Sequence, residues 1–333
     1  MSDALVLAGA LWKGAFTAGA LQVLSDPDVK ARHAIDIRRI VGASSGALNA
    51  AFLAGAIRAG READAGARLA QLWVDDATLG KVFDVAMVDL LGGRGISDSN
   101  RLLALLRANV PAAPGVTPID LRIVVTNADG EAAPLGDGVI TTYEHVVALS
   151  GPDFDTPAAI ERVYAAAVAS SALPGVFAPV DLDIGGKTVH AFDGGLTNNT
   201  PLGHAFEDAP DISRVFVVVP FPRLRETGPT LSGVALASHI FDMLIEERLS
   251  RELRSMVQVN QGLAALPQLL PDAAQRGAVL DALGWSQRRV VEVVEIRPPA
   301  TLPGDSFSGL WSRDLRQSYV QTGIDAARAV LQS

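Results

Sequence analysis

One short pattern in the sequence combines residue types that could carry out nucleophilic catalysis. Residues 42–46 read Gly-Ala-Ser-Ser-Gly, a G-x-S-x-G pattern with Ser44 at its centre. An apolar run at residues 37–41 precedes it, and a segment with helical spacing, residues 45–59, follows it. A serine on such a strand-to-helix turn sits at a helix N-terminus, where free N–H groups favour negative charge. We therefore expect Ser44 to act as a nucleophile, although the pattern alone also fits a glycine-rich turn with a capping serine.

The neighbours of Ser44 have predicted roles of their own. Gly42 and Gly46 leave room for the tight turn and for close packing of the helix that follows. The backbone N–H of Ser45 is expected to point toward the oxyanion that develops when Ser44 attacks a carbonyl group.

A carboxylate later in the chain could serve as the base for this serine. Asp193 is followed by Gly194 and Gly195, directly after a strand-like run at residues 187–192. A carboxylate at the end of a strand, on a turn loosened by two glycines, can reach a hydroxyl group and accept its proton. Asp-Gly-Gly is also a common turn sequence, so this segment by itself leaves a purely structural role open.

The loop between the first predicted strand and the first predicted helix could complete an oxyanion-binding site. It spans residues 9–14 and reads Gly-Ala-Leu-Trp-Lys-Gly, which matches neither a P-loop nor a dinucleotide-binding fingerprint. In a parallel sheet this loop lies beside the next strand-to-helix loop, so its N–H groups can face the same oxyanion. The lysine could add positive charge there or be a solvated loop lysine. The residues concerned are Gly9, Ala10, Leu11, Lys13 and Gly14.

These segments belong to an alternation of strand-like and helix-like stretches, which indicates an α/β fold. A continuous apolar run at residues 214–219 is typical of a strand that is buried on both faces. We interpret residues 127–137 as a loop and find no repeat or linker, so we expect one domain over residues 1–333. Its core is expected at residues 4–220, followed by C-terminal helices and a late strand at 231–331. Other strands are expected at residues 4–8, 37–41, 121–126, 138–143, 187–192 and 290–296, and helices at 14–24, 45–59, 157–170, 231–266 and 311–331, with broken helical spacing at 63–110.

Composition narrows the classes of function. The chain has 333 residues, of which 49% are hydrophobic, and a formal net charge of −9. We therefore expect neither nucleic-acid binding nor electrostatic recruitment to anionic membranes. The absence of cysteine excludes disulfides, thiolate nucleophiles and cysteine-ligated zinc. The apolar stretch at residues 4–24 contains Lys13 and follows no basic region, so we expect neither a signal peptide nor a membrane span, and a cytoplasmic protein.

Taken together, the motifs resemble those of the patatin-like phospholipases. The likeness rests on the opening segment ALVLAGALWKGAFTAGALQVL, the serine segment IVGASSGALNAAFLAG, the segment ASSALPGVFAPV, the aspartate segment VHAFDGGLTNNTPL and the closing DLRQSYVQTGIDAARAV. It extends over nearly the whole chain and is weakest at residues 61–121 and 222–288.

The resemblance implies a three-layer α/β/α sandwich with a mostly parallel, mixed central sheet. It also implies a Ser–Asp dyad without histidine, in which Asp193 activates Ser44 and water later releases the acyl-enzyme. The implied substrates are phospholipids and other acyl esters, and the dyad needs no metal or cofactor. Head group, acyl length, cleaved position and oligomeric state are left open by the resemblance.

The loop at residues 9–14 departs from the family pattern G-G-G-x-[RK]-G. Ala10 and Leu11 replace two glycines and Trp12 follows them, whereas the remaining positions are kept. Glycine is favoured where φ is positive, and alanine and leucine tolerate that conformation poorly. We therefore expect an oxyanion site that is built differently, is weaker, or forms only on ligand binding. Trp12 either narrows the mouth of the pocket or packs in the core.

Two alternatives to the dyad stay open at this stage. A Ser-His-Asp esterase would use His204 or His239, which follow the serine and the aspartate in the order of α/β-hydrolases. That fold, however, places its nucleophile deeper in the chain than residue 44. The second alternative is a relative without turnover, meaning a non-catalytic member of the family that binds acyl chains or a protein partner. The altered loop at residues 9–14 is the only feature that supports it. Peripheral membrane contact is expected, if anywhere, at residues 83–91.

Overall fold

The computed structural model describes residues 2–83, 99–115, 117–135, 137–223, 233–286 and 288–332. Within these ranges, eight strands form one sheet. The strands are β1 Ser2–Leu7, β2 Ile37–Ala43, β3 Asp120–Leu135, β4 Gly138–Ser150, β5 Val180–Ile184, β6 Lys187–Asp193, β7 Ile212–Val218 and β8 Glu292–Ile296.

The α-helices in the same ranges follow and separate these strands. In chain order they are α1 Gly14–Leu24, α2 Pro27–His33, α3 Ser45–Arg58, α4 Glu62–Asp75, α5 Leu79–Val82, α6 Asn100–Asn109, α7 Ile160–Ser170, α8 Gly195–Asn198, α9 Gly233–Leu269, α10 Ala273–Ala282, α11 Ser308–Trp311 and α12 Arg313–Gln332. None of the helices described is long and apolar enough to cross a membrane. The predicted membrane-contact segment, residues 83–91, lies outside the described residues apart from its first member.

The centre of the sheet is parallel. β1 lies between β2 and β7, while β8 follows β7 and β3 follows β2, all in parallel pairs. β4, β5 and β6 add antiparallel pairs, so the sheet is mixed. Parallel central strands have both faces covered, which explains the continuous apolar runs in β1 and β7.

Helices cover both faces of this sheet. In β1, Leu5 and Leu7 face a large core that also contains side chains of α1, α3, α4, α7 and α12. Ala4 and Val6 point the other way because successive strand residues alternate between faces. They join a second core to which α9 contributes Leu249. The predicted three-layer α/β/α sandwich with a mixed central sheet is therefore confirmed.

β3 brings the ends of two other strands together. Along one edge it pairs with β4. The opposite edge pairs first with β2, where Ala43 lies beside Val124, and then with β6, where Asp193 lies beside Val125. Because β2 is parallel and β6 antiparallel to β3, their C-terminal ends meet at two consecutive β3 residues. This junction places Ser44, the residue after β2, next to Asp193.

Some elements differ from the sequence prediction. The segment at residues 127–137 is not simply a loop, because β3 continues to Leu135 and pairs there with β4 as an extended hairpin. The bulge between Thr126 and Glu131 interrupts the alternation of apolar residues and hides the strand from pattern analysis. β5, α2 and α10 were also not predicted, whereas α1 has the predicted bounds.

Candidate active site

Ser44 lies on a strained turn between β2 and α3. Its backbone has φ 54° and ψ −132°, which is rare for a residue other than glycine. The two flanking glycines of the motif make the turn possible by close approach. A Cβ on Gly46 would lie 2.1 Å from the carbonyl oxygen of Leu7, and one on Gly42 would lie 2.7 Å from the carbonyl oxygen of Gly46. The N-terminus of α3 therefore packs directly on the backbone of β1.

The end of α7 holds the backbone of Ser44 in place. The Ser44 N–H donates to Ser170 Oγ at 2.9 Å, and Ser170 Oγ in turn donates to the carbonyl oxygen of Val124 at 2.6 Å. Ser171 Oγ donates to the carbonyl oxygen of Ser44 at 3.0 Å. No role for these two hydroxyl groups is predicted from the sequence, although they belong to the segment ASSALPGVFAPV, which carries part of the family resemblance.

The same turn of α7 also holds the aspartate loop. The Asp193 N–H donates to the carbonyl oxygen of Ala172 at 3.0 Å, and the Gly194 N–H donates to that of Ser170 at 3.1 Å. A Cβ on Gly194 would lie 2.0 Å from the carbonyl oxygen of Val124, so a side chain there would push the loop away from β3. One helix end thus fixes the backbones of both predicted dyad residues.

Ser44 and Asp193 are in direct contact. Ser44 Oγ donates to Asp193 Oδ2 at 2.7 Å, and the Gly195 N–H donates to Asp193 Oδ1 at 2.7 Å. Both residues are buried, with exposures of 6% and 1%. Burial raises the pKa of Asp193 to about 7, even though the hydrogen bonds from Ser44 and Gly195 lower it. A carboxylate with a pKa near neutrality suits proton transfer from the hydroxyl group that it contacts.

The loop after β1 is attached to both halves of this site. The Gly9 N–H donates to the carbonyl oxygen of Asn199 at 3.2 Å, and Asn199 Nδ2 donates to the carbonyl oxygen of Gly9 at 2.8 Å. A Cβ on Gly9 would lie 2.4 Å from Ser44 Cβ, so the loop passes directly over the serine. The Ala10 N–H donates to Ser45 Oγ at 2.9 Å, which leaves it unavailable to a substrate oxyanion.

Leu11 has a left-handed backbone conformation, which is unusual for a residue other than glycine. Its φ is 50°, a positive value that strains a leucine by about 1–2 kcal/mol. Leu11 and Ser45 both line the cavity next to Ser44. In the part of the chain that the structure describes, neither of their backbone N–H groups has a hydrogen-bond partner. These two donors differ from the Ala10 N–H, which Ser45 already occupies.

Lys13 is buried rather than solvated. The residue is 4% exposed, and its Nζ lies over the Phe221 ring, 5.9 Å from the ring centroid. Gly14, the next residue, packs against Trp73, because a Cβ there would lie 2.7 Å from Trp73 Cζ2. Trp12 lines the cavity, whereas the residues found around it do not include Lys13.

A cavity of about 140 Å³ opens beside Ser44 and extends between α3, α4 and α6. Its walls are almost entirely apolar. Trp12 and Trp73 present carbon surface to it, since their indole N–H groups are used elsewhere, by the carbonyl oxygen of Ala77 and by Asn49 Oδ1. Trp12 is 5% exposed and also packs against the Phe83 ring, with 5.8 Å between the ring centroids, so it is part of the core as well as of the cavity wall. Deeper wall residues include Leu48, Phe52, Leu69, Leu72, Leu102 and Leu106.

His204 lies in a separate cluster of charged side chains. Its Nε2 is 2.8 Å from Glu144 Oε1, and its Nδ1 is 2.8 Å from Glu207 Oε2. Burial alone lowers the pKa of His204. The two carboxylates together raise it by more than burial lowers it, so the net shift of the pKa is upward. Ser44 Oγ contacts Asp193 without an intervening imidazole. The side chain of His239 lies outside the described residues.

Comparison with known proteins identifies the family. The family model for patatin-like phospholipases matches residues 5–206, more than half of the chain, so the protein belongs to this family of lipid acyl hydrolases. Among solved structures, the chain is similar to VipD from Legionella pneumophila, with 14% identity and a TM-score of 0.45 over 99% of this chain. It spans 66% of the length of that structure. No match was found among curated proteins.

Proposed function

We propose that this protein is a serine hydrolase that cleaves lipid carboxylic esters in the manner of a phospholipase A or lysophospholipase. Ser44 is the nucleophile and Asp193 the general base. The observation that carries the proposal is the 2.7 Å contact between Ser44 Oγ and Asp193 Oδ2 beside an apolar cavity. A buried nucleophile, a base with a raised pKa and an apolar cavity for the acyl group are together suited to an ester whose acid part is a hydrocarbon chain.

The chemistry follows from these contacts. Asp193 accepts the Ser44 proton as Oγ bonds to the carbonyl carbon, and the oxyanion receives hydrogen bonds from the free N–H groups of Leu11 and Ser45. Asp193 then returns the proton to the departing alcohol oxygen when the ester C–O bond breaks. A water molecule attacks the acyl-enzyme with Asp193 again as base, which releases the fatty acid and restores the Ser44 hydroxyl group.

The cavity explains how an acyl chain would be held while this occurs. Each methylene that leaves water contributes about 0.8 kcal/mol of binding free energy. The walls from Leu48 and Phe52 to Leu106 extend away from Ser44, so longer chains gain contacts until they reach the end of the cavity. The hydrolysis rate is therefore expected to rise with acyl length over short esters and then level off.

A fluorophosphonate probe tests the proposed nucleophile directly. We expect the wild type to become covalently labelled and the Ser44→Ala protein to stay unlabelled, because the probe bonds only to an activated serine. The same substitution is expected to abolish hydrolysis of p-nitrophenyl esters. Labelling is read by gel fluorescence and by the mass of the modified peptide.

A matched serine substitution controls for indirect effects. Ser318 is exposed on α12, and Ser318→Ala should be labelled like the wild type. Labelling of Ser44→Ala would contradict the assignment of the nucleophile. A folded wild type that stays unlabelled but binds fatty acid would favour the relative without turnover.

A histidine substitution distinguishes the dyad from a triad. His204→Ala is expected to keep most of the esterase activity, since His204 is bonded to Glu144 and Glu207 and not to Ser44. The comparison is kcat/KM on a soluble p-nitrophenyl ester, with circular dichroism to verify folding. Loss of activity in a folded His204→Ala protein would restore the Ser-His-Asp alternative.

A further inference from the structure

The outer part of the β3–β4 hairpin exposes large apolar side chains to solvent. We call residues 131–143 the hairpin tip. Leu135, Val139, Ile140 and Tyr143 are 63%, 77%, 52% and 52% exposed. Exposed apolar side chains that cluster in this way, unlike ones scattered singly, indicate a contact site.

These side chains occupy both faces of a two-stranded ribbon. Val139 and Tyr143 share one face because strand residues alternate. Ile140 lies on the other face, where its cross-strand partner is Ala133. Leu135, two residues after Ala133 in β3, lies on the same face as Ile140. Each face therefore offers two of the four large side chains.

The hairpin tip extends from the end of the sheet that carries the candidate active site, where the parallel strands have their C-terminal ends. β3 is parallel to β2, and Val124 lies beside Ala43, the residue before Ser44. Val146 of β4 pairs with Val124, and β4 begins at Gly138, within the hairpin tip. At about 3.3 Å per residue, the eight steps from Val146 to Gly138 extend the ribbon about 26 Å beyond the level of Ala43.

A second copy of this chain fits the tip poorly. Specific protein interfaces bury about 800 Å² on each partner, far more than two side chains on one face provide. A flat protein partner on one face would also leave the apolar side chains of the other face in water. The interface of a lipid bilayer can surround both faces, and the free energy of such binding grows with the apolar area buried.

Charge indicates which kind of lipid surface fits. The charged residues of the hairpin tip are Glu131, at its base, and Asp137, in the turn, and the whole chain has a formal net charge of −9. Without Lys or Arg, the tip has no attraction for anionic lipids. A zwitterionic surface matches the tip better, because binding to it depends on apolar burial and needs no basic side chain.

We propose that the hairpin tip binds zwitterionic lipid surfaces and turns the end of the sheet that carries Ser44 toward the bilayer. That the tip brings the active site to its lipid substrate rests on the proposed function. The binding itself can be measured with a protein that does not hydrolyse lipid. The tip is a different site from residues 83–91, whose expected membrane contact stays a prediction because nearly all of that segment lies outside the described residues.

Co-sedimentation with phosphatidylcholine vesicles tests this proposal in the Ser44→Ala background, which leaves the lipid intact. We expect Val139→Asp and Ile140→Asp each to weaken binding about tenfold, because each removes an apolar side chain from the bilayer and adds a charge. Val290→Asp is the matched control, since Val290 is 54% exposed just before β8, at the N-terminal end of the parallel strands and so at the opposite end from Ser44. This control should bind like the parent.

A soluble ester separates this proposal from the proposed function. In the wild-type background, Val139→Asp and Ile140→Asp should hydrolyse p-nitrophenyl butyrate at the normal rate but phosphatidylcholine vesicles more slowly. Vesicle binding that is absent, or unaffected by both substitutions, would overturn the membrane contact. A change from dimer to monomer in the variants, seen by light scattering, would overturn it in favour of a protein interface. Failure to hydrolyse the soluble ester would count against the proposed function alone.

Discussion

Asp193→Asn is expected to lower kcat for ester hydrolysis by about 10²–10⁴-fold. An amide cannot accept the Ser44 proton, although it can occupy the same space and accept the Gly195 N–H at its oxygen. The measurement is steady-state hydrolysis of a soluble ester near pH 8. Unchanged kcat in the folded variant would contradict the role of Asp193 as base.

The pH profile of the wild type should reflect the same carboxylate. Because burial raises the pKa of Asp193 to about 7, the ionised base becomes the main form only above neutrality. We therefore expect kcat to rise with pH through about 7 and then level off, and the residual activity of Asp193→Asn to lack this step. A wild-type profile that is flat from pH 5 to 8.5 would exclude Asp193 as the titrating group.

The same substitution is expected to change stability in the opposite direction from activity. The folded pKa of Asp193, about 7, lies above 3.8, the ordinary pKa of an aspartate, which applies when the chain unfolds. The unfolded state therefore loses its proton first, and this group lowers the free energy of unfolding as pH rises from about 4 to about 7. Asn carries no charge, so the Tm of Asp193→Asn should exceed that of the wild type at pH 8 and match it near pH 4. Thermal unfolding by circular dichroism measures both values.

Gly9→Ala is the second substitution from which a large effect is expected. Its Cβ would lie 2.4 Å from both Ser44 Cβ and Asn199 Oδ1, so either the serine or the loop that carries Leu11 must move. Displacing an oxyanion donor typically costs about 10²–10³-fold in kcat, and we expect a loss of that size. The assay is hydrolysis of the same soluble ester.

A glycine in open surroundings provides the control for this substitution. A Cβ on Gly277, in α10, meets nothing within 4 Å, so Gly277→Ala should keep full activity. Circular dichroism and Tm establish that both variants fold. Full activity of Gly9→Ala would show that the loop after β1 does not hold the reacting groups in place.

The parts of the site that depend on local geometry could be predicted from the sequence. Ser44 and Asp193 were identified because tight turns require glycines next to the reacting residue, and such requirements leave a short pattern in the chain. The burial of Lys13 could not be predicted, since it depends on Phe221, which is distant in sequence. The catalytic roles, like the single-domain organisation, stay predictions until the variants are measured.

Long-range pairing explains the rest of what the sequence left undefined. The meeting of β2 and β6 on one edge of β3 depends on the register of three strands, which no local pattern encodes. The hydroxyl groups of Ser170 and Ser171 have a role only because α7 ends at this junction. The hairpin of β3 and β4 was missed for a different reason, because its outer residues are exposed and lack the usual alternation.

The junction on β3 also has a consequence for how the protein folds. Ser44 and Asp193 are 149 residues apart in the chain, and β3 to β6 and α7 lie between them. Contacts between such distant residues form slowly, because a long loop must close before they are made. The dyad is therefore assembled only after β2 and β6 have both paired with β3. Reactivity of Ser44 would consequently report when this long-range junction has formed, which the secondary-structure signal in circular dichroism does not distinguish.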